Sequence, residues 1–521
     1  MRPIMTIQLP ENRPRKFLEQ NVHDSGILVV VDMGINTHQE PVVYMHKDCH
    51  ICRAEGFNAS TRLLLETSER QLISTLNVIE NNNLSPGEIG LSNIARDSLR
   101  VVEGDQVSVC YAPIIDSLAA VRKKIHGHTL SDEDLLAIMK DVSEHRYRDI
   151  EISSFLSVCA GGRLNIDEIT GLTRAMVSCG KRLSWPEEKP IYDKHCIGGV
   201  PGNRTTPIVV AVASAAGLTI PKTSSRAITS PAGTADTLET LFNVDFQIGD
   251  MQRIVSETGA CLVWGGAVNL SPADDLMVRL ERALDLDGEG QLIASVLSKK
   301  IAAGSTHVVI DIPVGNTAKV RTSAEADYLA GLFNRVGISC GIDVRCVITD
   351  GSCPVGKGIG PVQEARDVLA VLKCAADAPH DLRDRALTLS ANLIDLAHAS
   401  GLEQALEKAT EILDSGTAWD QFQRIANAQG GLKELPSAEF ESVQSANESG
   451  VLVAIDNRRL ARLAKLAGAP FGMSAGLRLH VSVGSTVNLN DPLFTLFSES
   501  SGERDYALDY YNQNMNMFVV E

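Results

Sequence analysis

The stretch Asp193-Lys194-His195-Cys196-Ile197-Gly198-Gly199-Val200-Pro201-Gly202-Asn203-Arg204-Thr205-Thr206 constrains this chain more than any other. Three glycines and a proline exclude regular structure across its middle, so it reads as a loop. Thr206, Pro207, the small apolar run Ile208 to Ala216 and then Gly217 predict a helix with threonine at its N-cap, proline at its first position and glycine just past its end. A glycine-rich loop feeding a helix N-terminus offers unpaired backbone N–H groups and the positive end of the helix dipole, and Gly198, Gly199 and Gly202 let a ligand approach closely. Lys194 and Arg204 add full charges. The guest such a loop suits is phosphate.

The device repeats. Leu218 to Lys222 reads as a short strand, Thr223 to Thr234 as a hydroxyl-rich loop containing Arg226, and Ala235 to Leu241 as a helix. Each loop alone is also what an ordinary strand-to-helix turn in a parallel sheet looks like. Their succession, with Lys194, Arg204 and Arg226 among them, favours one cleft lined by hydroxyls, amides and cations. Strands at Ala260 to Val263, His307 to Ile312 and Asp343 to Thr349, with helices between, imply a parallel sheet covered on both faces. Its ligands would lie beyond the carboxyl ends of the strands. A helix from about Asp287 to Gly304 places Asp287, Gln291, Ser295 and Lys299 on one face. Such a stripe is either a cleft wall or an ordinary solvated face.

The rest of the chain divides by pattern. Residues 1–104 form a β-rich domain, with strands at Ile27 to Asp32, Thr61 to Glu66, Gln71 to Val78 and a segment ending at Tyr111, and turns at Pro86 to Gly90 and Glu103 to Asp105. Residues 105–183, joined by about 271–304, form a helical bundle, with Ser131 capping a helix whose first turn holds Asp132, Glu133 and Asp134. Residues 184–436 form the α/β domain, which includes the glycine-rich turn Asp350 to Pro361 and helices at Val362 to Ala375, Leu382 to Ala399 and Leu402 to Ala426. Residues 437–521 form a small α+β domain. The fold class is multidomain α/β.

Totals narrow the function. A formal charge of −17 argues against general nucleic-acid binding or anionic membranes. Aromatics at 4% leave little for base stacking. Eleven scattered cysteines, with no apolar leader in Met1 to Phe17 and no run long enough to span a bilayer, suit a cytoplasmic protein. Cys49 and Cys52, with His46 and His50 beside them, supply a lone CxxC. A structural zinc needs four ligands, so reduced thiols and surface histidines are the expected reading, with no metal.

Lys194-His195-Cys196-Ile197-Gly198-Gly199-Val200 resembles the KHSTGGV-type signature of pyrimidine-nucleoside phosphorylases. The string Ser225-Arg226-Ala227-Ile228-Thr229-Ser230-Pro231-Ala232-Gly233-Thr234 is closer still to the AMP phosphorylase branch of the thymidine phosphorylase family. The resemblance covers most of the chain, including the N-terminal domain of the long-chain branch. It implies phosphate on Lys194, Gly198, Gly199, Thr205 or Thr206, Ser224 and Thr234. It implies substrate contacts from Gly199, Ser225, Arg226, Ala227, Ile228, Thr229, Ser230, Thr234, Ser295 and Lys319. Lys299 matches the lysine that meets the base, and Asp287 the proton donor. No cofactor is implied beyond inorganic phosphate as co-substrate, and homodimers or larger homo-oligomers are. The reaction implied is attack of phosphate on the anomeric carbon of a nucleoside, thymidine by family label, or of a nucleoside 5′-monophosphate. AMP phosphorolysis would give adenine and ribose 1,5-bisphosphate.

Two positions depart from the pattern. Cys196 stands where the family carries serine, and Met277 and Leu280 stand where pyrimidine enzymes carry a tyrosine and an arginine. A phosphoribosyltransferase of the anthranilate type shares the expected fold, but would need an acidic pair for magnesium that the loop lacks. A non-catalytic nucleotide-binding scaffold would follow if Cys196 disabled the phosphate site.

Overall fold

The computed structural model describes residues 26–37, 40–185, 189–227, 230–268, 270–286 and 288–521. Its contacts separate two compact units, Met1–His126 with Ala137–Ser154, and Gly127–Leu136 with Phe155–Glu521.

The first unit is built on a closed six-stranded barrel. Strands β1 (Ile27–Asp32), β2 (Val42–His46), β3 (Arg62–Glu66), β4 (Gln71–Ile79), β5 (Glu88–Leu91) and β6 (Gln106–Tyr111) close in the order β1-β5-β2-β4-β3-β6. Alternation drives this: in β3, Leu63 and Leu65 are fully buried while Arg62, Leu64 and Glu66 are half-buried. The expected turn at Pro86 to Gly90 is half right. The chain turns at Ser85–Glu88, where Glu88 N donates to Ser85 O at 3.0 Å, and Glu88 to Leu91 then form the strand that pairs with both β1 and β2. The short β2 and the helices His50–Glu55 and Asn93–Leu99 carry too little periodicity to read from the sequence. Cys49 and Cys52 are buried in the barrel core, and all described cysteines are free thiols; of the histidines expected at the surface, His50 is exposed but His46, inside β2, is buried.

The second unit centres on five parallel strands: β7 (Tyr192–Cys196), β8 (Ile220–Ser224), β9 (Ala260–Trp264), β10 (His307–Val314) and β11 (Asp343–Asp350). Ladders join β11-β10-β7 and β8-β9, and a single parallel bridge, Ile191 to Thr219, joins β7 to β8. The spatial order is therefore β11-β10-β7-β8-β9. Strands β7 to β9 run outward on one side and β10 and β11 on the other, so order reverses between β7 and β10. That is the crevice where open parallel sheets bind ligands. The helix Thr205–Ala215 behind β7 is buried along nearly its whole length and packs on helices His380–His398 and Thr417–Ala428, which explains its all-apolar sequence.

Several boundaries move. The helix after the first loop starts at Thr205, with Arg204 at the N-cap, not Thr206. Pro207 still falls in the first turn, where no N–H is needed. Strand β8 covers Ile220–Ser224 instead of Leu218 to Lys222, because it pairs with β9 as far as Ser224 to Trp264. The expected helix Leu402 to Ala426 is two helices, Leu402–Asp414 and Thr417–Ala428, broken where Gly416 adopts φ +83°. The C-terminal segment is the α+β unit expected, and includes strands Phe440–Ser445 and Phe518–Val520 and helix Ser501–Gln513. Its sheet recruits Gly358–Ile359 from the glycine-rich turn after β11. Among the described residues no helix is long and apolar enough to cross a membrane.

Candidate active site

The loop between β7 and the helix Thr205–Ala215 lies at the point where strand order reverses. Its three glycines all have positive φ, +90° at Gly198, +92° at Gly199 and +72° at Gly202, but they serve different ends. A Cβ on Gly199 would stand 2.5 Å from Lys319 N, and one on Gly202 would stand 2.2 Å from Val355 O. These two glycines let neighbouring backbone brace the loop, and Val355 N donates to Pro201 O at 3.1 Å. Gly198 has nothing within 4 Å, so it is the glycine with room for a guest.

Lys194 points from β7 beneath this loop. It is 1% exposed, donates from Nζ to Thr205 Oγ1 at 2.7 Å and lies 3.9 Å from Asp311 Oδ2. Asp311, fully buried on β10, accepts from Thr349 Oγ1 at 2.6 Å and Asn203 Nδ2 at 3.2 Å. The ammonium thus forms the floor of the loop, half-balanced by one carboxylate. Thr206, next in the helix, is also buried.

Arg204 does not offer a free charge. Its Nε donates to Glu364 Oε2 at 2.6 Å, its Nη1 to Thr234 Oγ1 at 2.7 Å and its Nη2 to Ala232 O at 2.8 Å. Glu364 is 1% exposed. Burial raises its pKa even with Arg204 pulling the other way. Arg204 therefore ties the first loop to the second and fixes Thr234.

The second loop leaves β8 at Ser224, whose Oγ is buried without a hydrogen-bond partner. Asp236 holds the loop shut, its Oδ2 accepting from Ala227 N at 2.6 Å and Gly233 N at 2.8 Å. Gly233 is obligatory here, since a Cβ would stand 2.5 Å from Ala227 N. Arg226 is half-exposed, forked on Glu239 with Nη2 2.9 Å from Oε1, close to Asp236 and stacked over the Trp264 ring at 4.5 Å. Ser225 and Ser230 are exposed, and Ser230 Oγ donates to Ala232 O at 2.8 Å. Ile228, Thr229 and Asp287 lie outside the described residues.

Behind β7 sits a buried ionic group that charge type alone does not reveal. Asp193, 1% exposed, lies between Lys222 Nζ at 2.9 Å and Lys300 Nζ at 2.7 Å. Burial works against its charge, but the two ammonium groups outweigh it and its pKa falls. Lys300 carries the other side of that arrangement: burial brings its pKa down to about 7. His195 is held neutral by burial and by Lys300, Lys222, Lys194 and Lys299. Around β7, Lys222 and Lys300 are paired with Asp193 and Lys299 with Asp274, so the cation that directly underlies the loop is Lys194.

Helix Glu289–Ala302 carries Ser295 and Lys299 of the predicted contacts. Ser295 and Lys299 are half-buried on one face, but Gln291, on the same stripe, turns into the packing and donates from Nε2 to Leu156 O at 3.1 Å. Lys299 is ion-paired to Asp274 and lies 3.9 Å from Asp275. Burial lowers its pKa, and the two aspartates more than reverse this. Met277 and Leu280, at 1% and 7% exposure, sit on the same helix as those aspartates, Pro272–Leu284. Lys319 is half-buried, its backbone against Gly199.

Cys196 accepts from Gly198 N and Asn203 Nδ2, both at 3.4 Å. Burial first, then Asp311, pushes its pKa up to about 12. It is a thiol at neutral pH, not a thiolate nucleophile. Iodoacetamide at pH 7.5 should therefore leave Cys196 unmodified after the exposed Cys110 and Cys374 have reacted, as read by peptide mass spectrometry. Rapid labelling of Cys196 would show an activated thiolate instead.

Among the described residues no group of three or more His, Cys, Asp or Glu is arranged to hold a metal ion. Residues 188–419 match the glycosyl transferase family a/b domain, and residues 118–180 match that family's helical bundle domain. A protein of Acidovorax sp. (strain JS42) named "Putative thymidine phosphorylase 1" is 51% identical over 96% of this chain and 98% of its own length. Relatives named "Putative thymidine phosphorylase" are 52% identical in Polaromonas sp. (strain JS666 / ATCC BAA-500), over 92% of this chain and 93% of theirs, and 49% identical in Hahella chejuensis (strain KCTC 2396), over 94% and 97%. Among solved structures, an anthranilate phosphoribosyltransferase from Thermus thermophilus aligns with 60% of this chain and 99% of that one, at TM-score 0.48 and 20% identity. Sequence identity near one half over nearly the whole length decides the matter: the chain belongs to the thymidine phosphorylase family of pentosyl-transferring glycosyltransferases, the nucleoside and nucleotide phosphorylases.

Proposed function

We propose that the chain cleaves a nucleoside or nucleoside 5′-monophosphate by phosphorolysis, with inorganic phosphate held in the loop 197–206. The observation carrying this reading is Lys194 on the loop floor, hydrogen-bonded to Thr205 at the start of a buried helix, beneath the open face of Gly198. Phosphate there would receive the helix's first N–H groups and the charge of Lys194. The unpartnered Ser224 Oγ supports a polar guest at the neighbouring strand end. One phosphate oxygen forms a bond to the anomeric carbon as the glycosidic C–N bond breaks. The bonding pair leaves with the base, which takes up a proton. The transition state has oxocarbenium character, so the adjacent oxyanion stabilises it electrostatically.

Family resemblance assigns the proton to Asp287, with Ser295, Lys299 and Lys319 on the substrate and Gly199, residues 225–230 and Thr234 around the nucleotide. Asp287→Asn should lower kcat by about 10²–10⁴-fold, the usual worth of a general acid, while the KM for phosphate stays nearly constant. Undiminished turnover would remove Asp287 from the mechanism.

Base identity is the finer question. Relatives are named for thymidine, yet Met277 and Leu280 provide no donor for a pyrimidine carbonyl and Lys299 is paired with Asp274. These features support a purine, with AMP as the candidate substrate. A panel of nucleosides and nucleoside monophosphates, assayed for free base with phosphate present, separates the readings. Faster release from AMP supports this preference, and faster release from thymidine overturns it. Association into a homodimer or larger homo-oligomer belongs to the same proposal, and light scattering of the purified chain would test it.

A further inference from the structure

The first unit holds a cavity of about 240 Å³ remote in sequence from the glycine loop, with three guanidinium groups, those of Arg62, Arg146 and Arg148, in its wall. Glu151, Ile73 and Leu118 also line it. The three arginines are not equivalent. Arg148 is paired with Glu151, with Nε to Oε1 at 2.8 Å, Nη2 to Oε1 at 2.5 Å and its backbone N to Oε2 at 2.5 Å. Arg146 lies 3.3 Å from Asp141 and 3.1 Å from Glu144. Arg62 has only neutral acceptors: Nη2 donates to His145 O at 2.9 Å and Arg146 O at 3.2 Å, and Nη1 to Thr75 Oγ1 at 3.3 Å. Its Nε is buried with no partner.

A charged guanidinium shielded from water costs free energy unless an anion meets it, and an N–H left without an acceptor adds to that cost. Burial lowers the pKa of Arg62 to about 10, which still leaves it charged at pH 7. Glu151 is hydrogen-bonded to Arg148 through both oxygens and acts on Arg62 through its charge, with no hydrogen bond between them. Guanidinium groups fit oxyanions through paired N–H donors, better than any other side chain. Apolar side chains complete the lining, among them Ile73, which is buried. The volume falls below the roughly 300–1,000 Å³ of pockets for drug-sized ligands, so a whole dinucleotide does not fit but a single ring bearing one oxyanion does.

We propose that this cavity binds a small phosphate monoester, the size of a pentose phosphate, with Arg62 as its principal ligand. The test uses the full chain carrying Lys194→Met, so that the loop 197–206 no longer competes for phosphate. Ribose 5-phosphate is titrated in by calorimetry, with ribose as the uncharged control. Saturable binding of one ribose 5-phosphate per chain, none of ribose, at least a tenfold loss on adding Arg62→Met and partial retention with Arg62→Lys are expected. Absence of saturable binding, or equal affinity in the Arg62→Met chain, would overturn the proposal. Should Arg62→Met fail to fold, amide hydrogen exchange on the Lys194→Met chain decides. Ligand-induced protection at residues 60–62 and 146–151 supports the site, and protection confined to residues 194–206 refutes it.

Discussion

Arg204→Met is expected to destabilise the protein by about 3–5 kcal/mol, the usual cost of leaving a buried charge without its partner. Glu364 is 1% exposed and loses its only guanidinium, keeping just Gly360 N at 3.1 Å. The effect should depend on pH, with a sign fixed by linkage. The folded-state pKa of Glu364 already lies above its ordinary value because of burial. A raised carboxyl favours the fold when protonated, and that advantage is lost as pH rises through the folded pKa. Removing Arg204 raises this pKa further, so the variant's deficit should be largest at neutral pH and shrink as pH falls toward the carboxylate range. Denaturant unfolding at several pH values measures it. A deficit that stays constant with pH would mean that Glu364 is not the group left unpaired. Thr234 also loses its donor, so activity should fall even where the chain remains folded.

The second large effect is catalytic. Lys194→Met keeps the length of the stem but removes the ammonium from the floor of the loop. Loss of one preorganised donor at a developing charge costs on the order of 10²–10³-fold in rate, and loss of a full charge should reach at least that. The KM for phosphate should rise steeply while nucleoside affinity changes little. A variant with unaltered phosphate KM would place the nucleophile elsewhere. Because Asp311 would lose the nearby ammonium at 3.9 Å, unfolding curves must accompany the kinetics.

What is legible in the sequence follows from how local each determinant is. The glycine loop can be read because glycine and proline punctuate the backbone themselves, and all three glycines do adopt positive φ. Capping rules place the helix start two residues late, at Thr206 instead of Arg204 for the N-cap, because Thr205 is fixed by Lys194, a contact that no such rule encodes. Arg204 looks like an anion ligand, yet its partner Glu364 lies 160 residues away. The Asp193–Lys222 pair spans 29 residues and depends on two parallel strands lying side by side, so charge type is visible but pairing is not. In the helix Glu289–Ala302, four-residue spacing correctly puts Gln291, Ser295 and Lys299 on one stripe, but only packing against Leu156 reveals that Gln291 faces inward. Barrel closure depends on β5, four residues long, below the length at which alternation is informative.

The account stands or falls on phosphate as the attacking group. The decisive measurement is the initial rate of base release as a function of phosphate concentration, with the sugar product followed by phosphorus NMR. Release should vanish at zero phosphate, rise hyperbolically and yield one sugar 1-phosphate per base. Base release that persists without phosphate and gives free sugar would contradict it.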